Sequence, residues 1–189
     1  MNSVNFLRNI VITDYKVENL IPHLRNDFWD NFFINFTKLG DWYTILSLFI
    51  IVSGLLYLCK KRNLIPSFFL VVLGTGIMTV IIKLLVCRTR PGSDIALYVE
   101  KLPSFPSAHA ALIFVFLGFL IYCFWRFDIN LKYKIVLSIV FGTIILLIGF
   151  SRIYIGVHYL SDVIGGYLVG LMWVLIAMYI SRKSFSIRK

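Results

Sequence analysis

Charge is scarce in this chain. Of its 189 residues only 15% are Asp, Glu, Lys or Arg, against about 25% in soluble domains, and acids are the rarer sign, nine against nineteen Lys and Arg. With 59% hydrophobic residues, 16% aromatic residues and a mean hydropathy of +0.86, the composition excludes disorder and argues against a water-soluble domain. Cysteine is equally sparse. Cys59, Cys87 and Cys123 form no CxxC and no Cys/His cluster, so neither a disulfide framework nor a zinc site is expected. An uninterrupted apolar h-region is also missing from residues 1–15, which contain Arg8 and Asp14, so the first span is expected to direct its own insertion.

What the chain does have is long apolar runs. Residues 42–58, 64–82, 106–125, 135–151 and 163–181 are almost free of charge, and each approaches the roughly 20 residues that cross a bilayer as a helix. Ahead of them, Leu24, Phe28, Trp29, Phe32, Phe33 and Phe36 recur at helical spacing while Arg25, Asp27, Asp30 and Lys38 occupy other faces. That pattern fits a helix lying in the membrane interface, with a packed soluble-type helix as the alternative. The expected fold is therefore all-α: an integral membrane bundle of five transmembrane helices plus an N-terminal interfacial helix. Its divisions are an amphipathic segment 1–41, a membrane domain 42–181 and a basic tail 182–189. Gly166 and Gly170 form a GxxxG in the fifth span, which serves either internal packing or a dimer face; the oligomeric state stays open.

Five spans put successive loops on alternating sides. One side carries Lys60, Lys61, Arg62, Arg126, Lys132, Lys134, Arg182, Lys183, Arg188 and Lys189 against Asp128 alone. The positive-inside rule makes that side cytoplasmic, which places the C-terminus inside. The net charge of +10 is then a signal of orientation, with no nucleic-acid partner implied.

On the opposite side, polar residues gather where hydrophobicity does not explain them. Lys83, Arg88 and Arg90 close the second span, Ser107 and His109 open the third, Ser151 and Arg152 close the fourth, and His158 and Asp162 open the fifth. Charged groups this close to hydrocarbon mark function, pairing or snorkelling. Lys83 and Arg90 lie two helical turns apart and can share a face, and Arg152 adds a planar fork suited to phosphate oxygens. The helix start at Pro106, Ser107, Ala108 and His109 offers a hydroxyl and free backbone N–H groups to the same anion. His158 and Asp162 are four apart, so the carboxylate can hold one imidazole nitrogen and leave the other as a nucleophile, while His109 can protonate a leaving oxygen. Three cations can stabilise phosphoryl transfer without a metal. Asp162 is the one carboxylate expected in this group; Asp94 and Glu100 read as solvated loop charges.

These residues resemble the type 2 phosphatidic acid phosphatase (PAP2) family, which extends to vanadium haloperoxidases and soluble bacterial acid phosphatases. Lys83, Arg90 and Pro91 match Lys-x6-Arg-Pro; Pro106, Ser107 and His109 match Pro-Ser-Gly-His with Ala108 in place of glycine; Ser151, Arg152, His158 and Asp162 match Ser-Arg-x5-His-x3-Asp. The resemblance implies a phosphohistidine at His158, Asp162 orienting it, His109 as general acid, and Lys83, Arg90, Ser107, Ala108 and Arg152 around the phosphate, with no metal and no cofactor. It implies hydrolysis of a lipid phosphate: undecaprenyl diphosphate, phosphatidylglycerol phosphate, phosphatidic acid or lipid A. Membrane lipids are the expected surroundings, in a bacterial inner membrane with the site facing the periplasm or exterior. A lipid phosphotransferase would use the same site, and a non-catalytic anion binder or transporter is the alternative from another class. The membrane context disfavours a haloperoxidase.

Overall fold

Every regular element among the described residues of the computed structural model (3–92, 95–98 and 100–186) is helical. In chain order these are α1 (Ser3–Leu20), α2 (Asp27–Phe36), α3 (Trp42–Leu58), α4 (Ile65–Val86), α5 (Ala108–Arg126), α6 (Leu131–Tyr154) and α7 (Leu160–Ser186). Short 3-10 turns at Ile21–Leu24, Thr37–Gly40 and Arg62–Leu64 join several of them. The helices α4 to α7 are each long and apolar enough to cross a membrane, and α2 with α3, bent by 51° across Asp41, can supply a fifth crossing.

Helix α5 is the hub, packing against α4, α6 and α7. Ala110, Ala111, Val115, Phe116 and Phe119 on it are all buried, whereas its neighbours turn Ile77, Leu84, Leu85, Ile139, Leu146 and Leu168 outward. Apolar surface on that scale is the lipid-facing exterior of a membrane bundle rather than a tolerable face in water. The close α5–α7 approach depends on missing side chains: a Cβ on Gly166 would lie 2.5 Å from the Ser107 carbonyl oxygen, and one on Gly170 2.8 Å from the Phe114 Cβ. The GxxxG is thus an internal packing face.

The helices overrun the apolar limits drawn from hydropathy. Helix α4 continues to Val86 and so carries Lys83; α6 runs to Tyr154 and carries Arg152; α7 starts at Leu160 and carries Asp162 in its first turn. Hydropathy stops at a charged residue, but helical backbone continues where that charge is paired. The third span starts later than 106, with Ser107 as the N-cap of α5. The aromatic periodicity at 24–36 corresponds to α2, with Phe28, Trp29 and Phe32 outward and Phe33 buried. A further helix, α1, precedes it and packs against α7. Arg188 and Lys189 of the basic tail, and Asp94, lie outside the described residues.

Candidate active site

The ends of four helices and the loop between α4 and α5 meet at one pole of the bundle. Gly156 makes the turn that brings α6 and α7 together: its φ is +76°, and a Cβ there would lie 2.5 Å from the Ile95 carbonyl oxygen. Beyond it the backbone N–H groups of Val157 and His158 both donate to the Arg152 carbonyl at 3.3 Å, which fixes His158 beside the last turn of α6.

His158 is 3% exposed. Its Nδ1 is 3.4 Å from Asp162 Oδ2 and 3.3 Å from Ser104 Oγ, and its Nε2 is 3.4 Å from Arg90 Nη1. One nitrogen therefore faces an orienting carboxylate and the other a guanidinium. His158 stands just before α7 rather than on its face, and Asp162 reaches back to accept from the Tyr159 N–H at 2.9 Å, half of a capping box. The Ser104 hydroxyl donates to the same carboxylate oxygen. Burial, then Arg152 and Arg90, hold the His158 imidazole well below the ordinary histidine range, so it is neutral at pH 7 with a lone pair available.

Asp162 has a second set of partners that the motifs do not reveal. Arg88 donates through Nη1 to Asp162 Oδ1 at 2.6 Å and to Ser161 Oγ at 2.6 Å, and through Nη2 to Asp14 Oδ2 at 2.7 Å. Asp14, on α1 and buried, also accepts from the Ser161 N–H at 2.9 Å and hydroxyl at 2.5 Å. The N-terminal helix is in this way tied to the carboxylate beside His158.

The three cations do converge, but not around an open seat. Lys83 donates to the Pro103 and Ser104 carbonyls at 2.5 and 3.1 Å, bracing the loop. Arg90 donates to the Val157 carbonyl at 2.6 Å and to Glu100 Oε2 at 2.6 Å; Arg152 donates to Thr37 Oγ1 at 3.0 Å, to the Tyr98 hydroxyl and to Glu100 Oε1. Glu100 is therefore no solvated loop charge. Burial alone would raise its carboxyl, but Arg152 and Arg90 outweigh that and bring it to about 2. Nor is Asp162 the one carboxylate of the cluster, since Asp14, Asp41 and Glu100 join it. Loop residues lack the periodicity that would have shown where they fold back.

At the other edge, His109 Nε2 contacts Asp41 Oδ1 at 2.6 Å. A Cβ on Gly40 would lie 3.2 Å from His109, so the Thr37–Asp41 corner walls the site. Ser107 is fully buried, and its hydroxyl has no hydrogen-bond partner among the described residues. Its N–H donates to the Asp162 carbonyl at 3.0 Å and is not free for an anion; the N–H groups of the first turn of α5 remain. Ala108 is helical, with φ on the ordinary negative side, so alanine meets no strain where the motif has glycine. Among the described residues no group of three or more His, Cys, Asp or Glu is placed to hold a metal ion.

The family model of the PAP2 superfamily matches residues 65–186. The chain belongs to this superfamily. A curated relative, phosphatidylglycerophosphatase B of Bacillus subtilis (strain 168), is 30% identical over 164 residues, covering 84% of this chain and 78% of that protein. Among solved structures, a transmembrane PAP2 type phosphatidylglycerolphosphate phosphatase from Bacillus subtilis superposes with a TM-score of 0.82 at 25% identity, covering 97% of this chain and 88% of that one. LpxE of Aquifex aeolicus gives 0.68 at 25% identity over 87% and 94%. As a PAP2 protein the chain is an integral membrane phosphatase. The match to the family model starts at Ile65, so Asp14, Thr37 and Asp41 are contributions from outside it.

Proposed function

We propose that this PAP2 protein hydrolyses the phosphate monoester or diphosphate of a lipid through a phosphohistidine, with no metal. The observation that carries this reading is the setting of His158, whose Nδ1 faces Asp162 and Ser104 while its Nε2 faces Arg90 in the cationic pocket. Nε2 attacks phosphorus, the P–N bond forms as the P–O bond to the lipid breaks, and that electron pair leaves on the lipid oxygen, which takes a proton from His109. Water then attacks the phosphohistidine, His109 recovers a proton, and the P–N pair returns to Nε2. Arg90, Arg152 and Lys83, with the Ser107 hydroxyl and the first-turn N–H groups of α5, balance the phosphoryl charge. Glu100 yields its place to the incoming phosphate. The family relatives, two of them named as phosphatases of phosphatidylglycerol phosphate, support a lipid substrate.

An apolar groove supports it further. About 640 Å³ in volume, it is lined by Trp42, Ile45 and Phe49 of α3, Phe69, Leu73 and Ile77 of α4, and Ala108 and Leu112 of α5. Its lining includes Ala108, the residue before His109, which supports a hydrocarbon chain in it presenting its headgroup towards the site. We place the chain in a bacterial inner membrane with five crossings, the first made by α2 and α3 together and α1 at the interface, the site towards the periplasm or exterior, and the C-terminus in the cytoplasm, on the strength of the basic loops on the opposite side. The test is phosphate release from a panel of lipid phosphates by detergent-purified protein with EDTA present. Wild type is expected to be active and His158→Ala inactive; full activity of that variant, or a strict need for a divalent metal, overturns the mechanism.

A further inference from the structure

Asp41 is an unusual N-cap. An Asp before a helix ordinarily accepts a hydrogen bond from the first-turn N–H groups, yet Asp41 makes no side-chain cap bond to α3 and turns to His109 Nε2 at 2.6 Å instead. Its side chain is 40% exposed, so it borders open space as well as the imidazole. Lys38, the nearest other charge on this corner, gives its ammonium to Asn35 Oδ1 at 2.9 Å. Trp42, the next residue, begins the lining of the apolar groove, and so does Ala108, the residue before His109. Asp41 and His109 thus stand at the junction between the groove and the phosphate pocket.

Resting on the phosphatase reading, the placement fixes what lies beside the carboxylate. In a substrate whose tail fills the groove and whose terminal phosphate reaches His158, the atoms joining tail to phosphorus pass Asp41. For a monoester that joint is a neutral alkoxy group, and the leaving alcohol takes its proton from His109. For a diphosphate the joint is a second, anionic phosphate, which leaves as a lipid monophosphate with its negative charge held against a carboxylate in surroundings of reduced dielectric. Arg152, which reaches Thr37 on the same corner, is the cation placed to offset this in part, but its N–H groups are given to Thr37, Tyr98 and Glu100, Arg90 faces Glu100, and Lys83 donates to the Pro103 and Ser104 carbonyls.

We infer that Asp41 is a specificity-determining residue that selects lipid phosphate monoesters against lipid diphosphates by setting a carboxylate where the inner phosphate of a diphosphate would lie. The test compares farnesyl phosphate with farnesyl diphosphate, which share a tail and differ by one phosphate, using full-length detergent-purified protein and phosphatidic acid as a third substrate. Wild type is expected to favour the monophosphate at least tenfold in kcat/KM, and Asp41→Asn to narrow that ratio at least fivefold, with Asp41→Glu retaining it. A carboxylate that only supports His109 would also narrow the rate ratio, because the alkoxide leaving group of the monoester needs the proton more than the phosphate leaving group of the diphosphate does. The deciding readout is therefore binding, in which Asp41→Asn is expected to narrow the preference for a phosphonate over a methylenediphosphonate on the same tail at least fivefold. An unchanged binding ratio in that variant overturns the inference, as does a wild type indifferent to the second phosphate. Hexadecylphosphonate should bind wild type at least tenfold more tightly than hexadecyl methylenediphosphonate, and the reverse order overturns it. If wild type releases phosphate from none of the three lipids, the phosphatase reading falls by itself, while the phosphonate ratio still reports on Asp41.

Discussion

Ser104 illustrates how much of the chemistry rests on single hydroxyls and carboxylates between the motifs. It donates to Asp162 Oδ2 and lies 3.3 Å from His158 Nδ1, and a hydrogen bond to a charged group is worth about 1.5–3 kcal/mol. Ser104→Ala is therefore expected to lower kcat on the order of tenfold with little change in KM, read from steady-state phosphate release. The neutral state of His158 sets the pH response. Because its imidazole in the folded protein lies well below the ordinary histidine range, protons that an exposed histidine takes up near 6.5 are refused. Activity should persist below pH 6.5 and be lost only on further acidification; an acid limb of kcat/KM at or above 6.5 would contradict this. Glu100 has the corresponding carboxylate sign: held at about 2 against an ordinary value near 4.3, its ion pairs stabilise the fold fully above that value. They weaken as pH falls between the two.

At the scale of elements, the turn between α6 and α7 and the α5–α7 contact are the two joints that a small change breaks. Gly156→Ala puts a Cβ against the Ile95 carbonyl at a left-handed φ and is expected to cost about 1–2 kcal/mol or more. Gly166→Leu overpacks the contact with Ser107 by about 1–3 kcal/mol. Both should appear as a lower Tm in detergent, and Gly156→Ala should lose activity first, because His158 follows that turn directly. The helices of the bundle were legible from apolar runs, and the motif positions of the candidate site were legible because the charged ones among them lie at or near helix ends, where a charge beside hydrocarbon stands out. Helix α1 was not delimited, for it lacks an apolar run and its one buried acid, Asp14, matters only through Arg88 and Ser161. Glu100 and Asp41 were hidden for a similar reason: a loop residue and a corner residue acquire their partners from tertiary folding, with no period to announce them.

For the molecule as a whole, the basic loops opposite the site predict its orientation. A cysteine introduced by Lys61→Cys should be labelled from the cytoplasmic side of a sealed vesicle and protected from outside; the opposite pattern inverts the assignment. The ties of α1 and the Thr37–Asp41 corner to the site bear on how the protein can be divided. Residues 65–186 hold every motif position and four apolar helices, yet a fragment cut there loses Asp14 from Arg88, Thr37 from Arg152 and Asp41 from His109. Such a fragment would carry the complete family signature and still be a poor enzyme, with Arg88 and the site's guanidinium groups competing for too few acids. Completeness of signature and completeness of the working unit are separate properties in this chain. A truncation that removes Asp14 or the Thr37–Asp41 corner is expected to alter the catalyst.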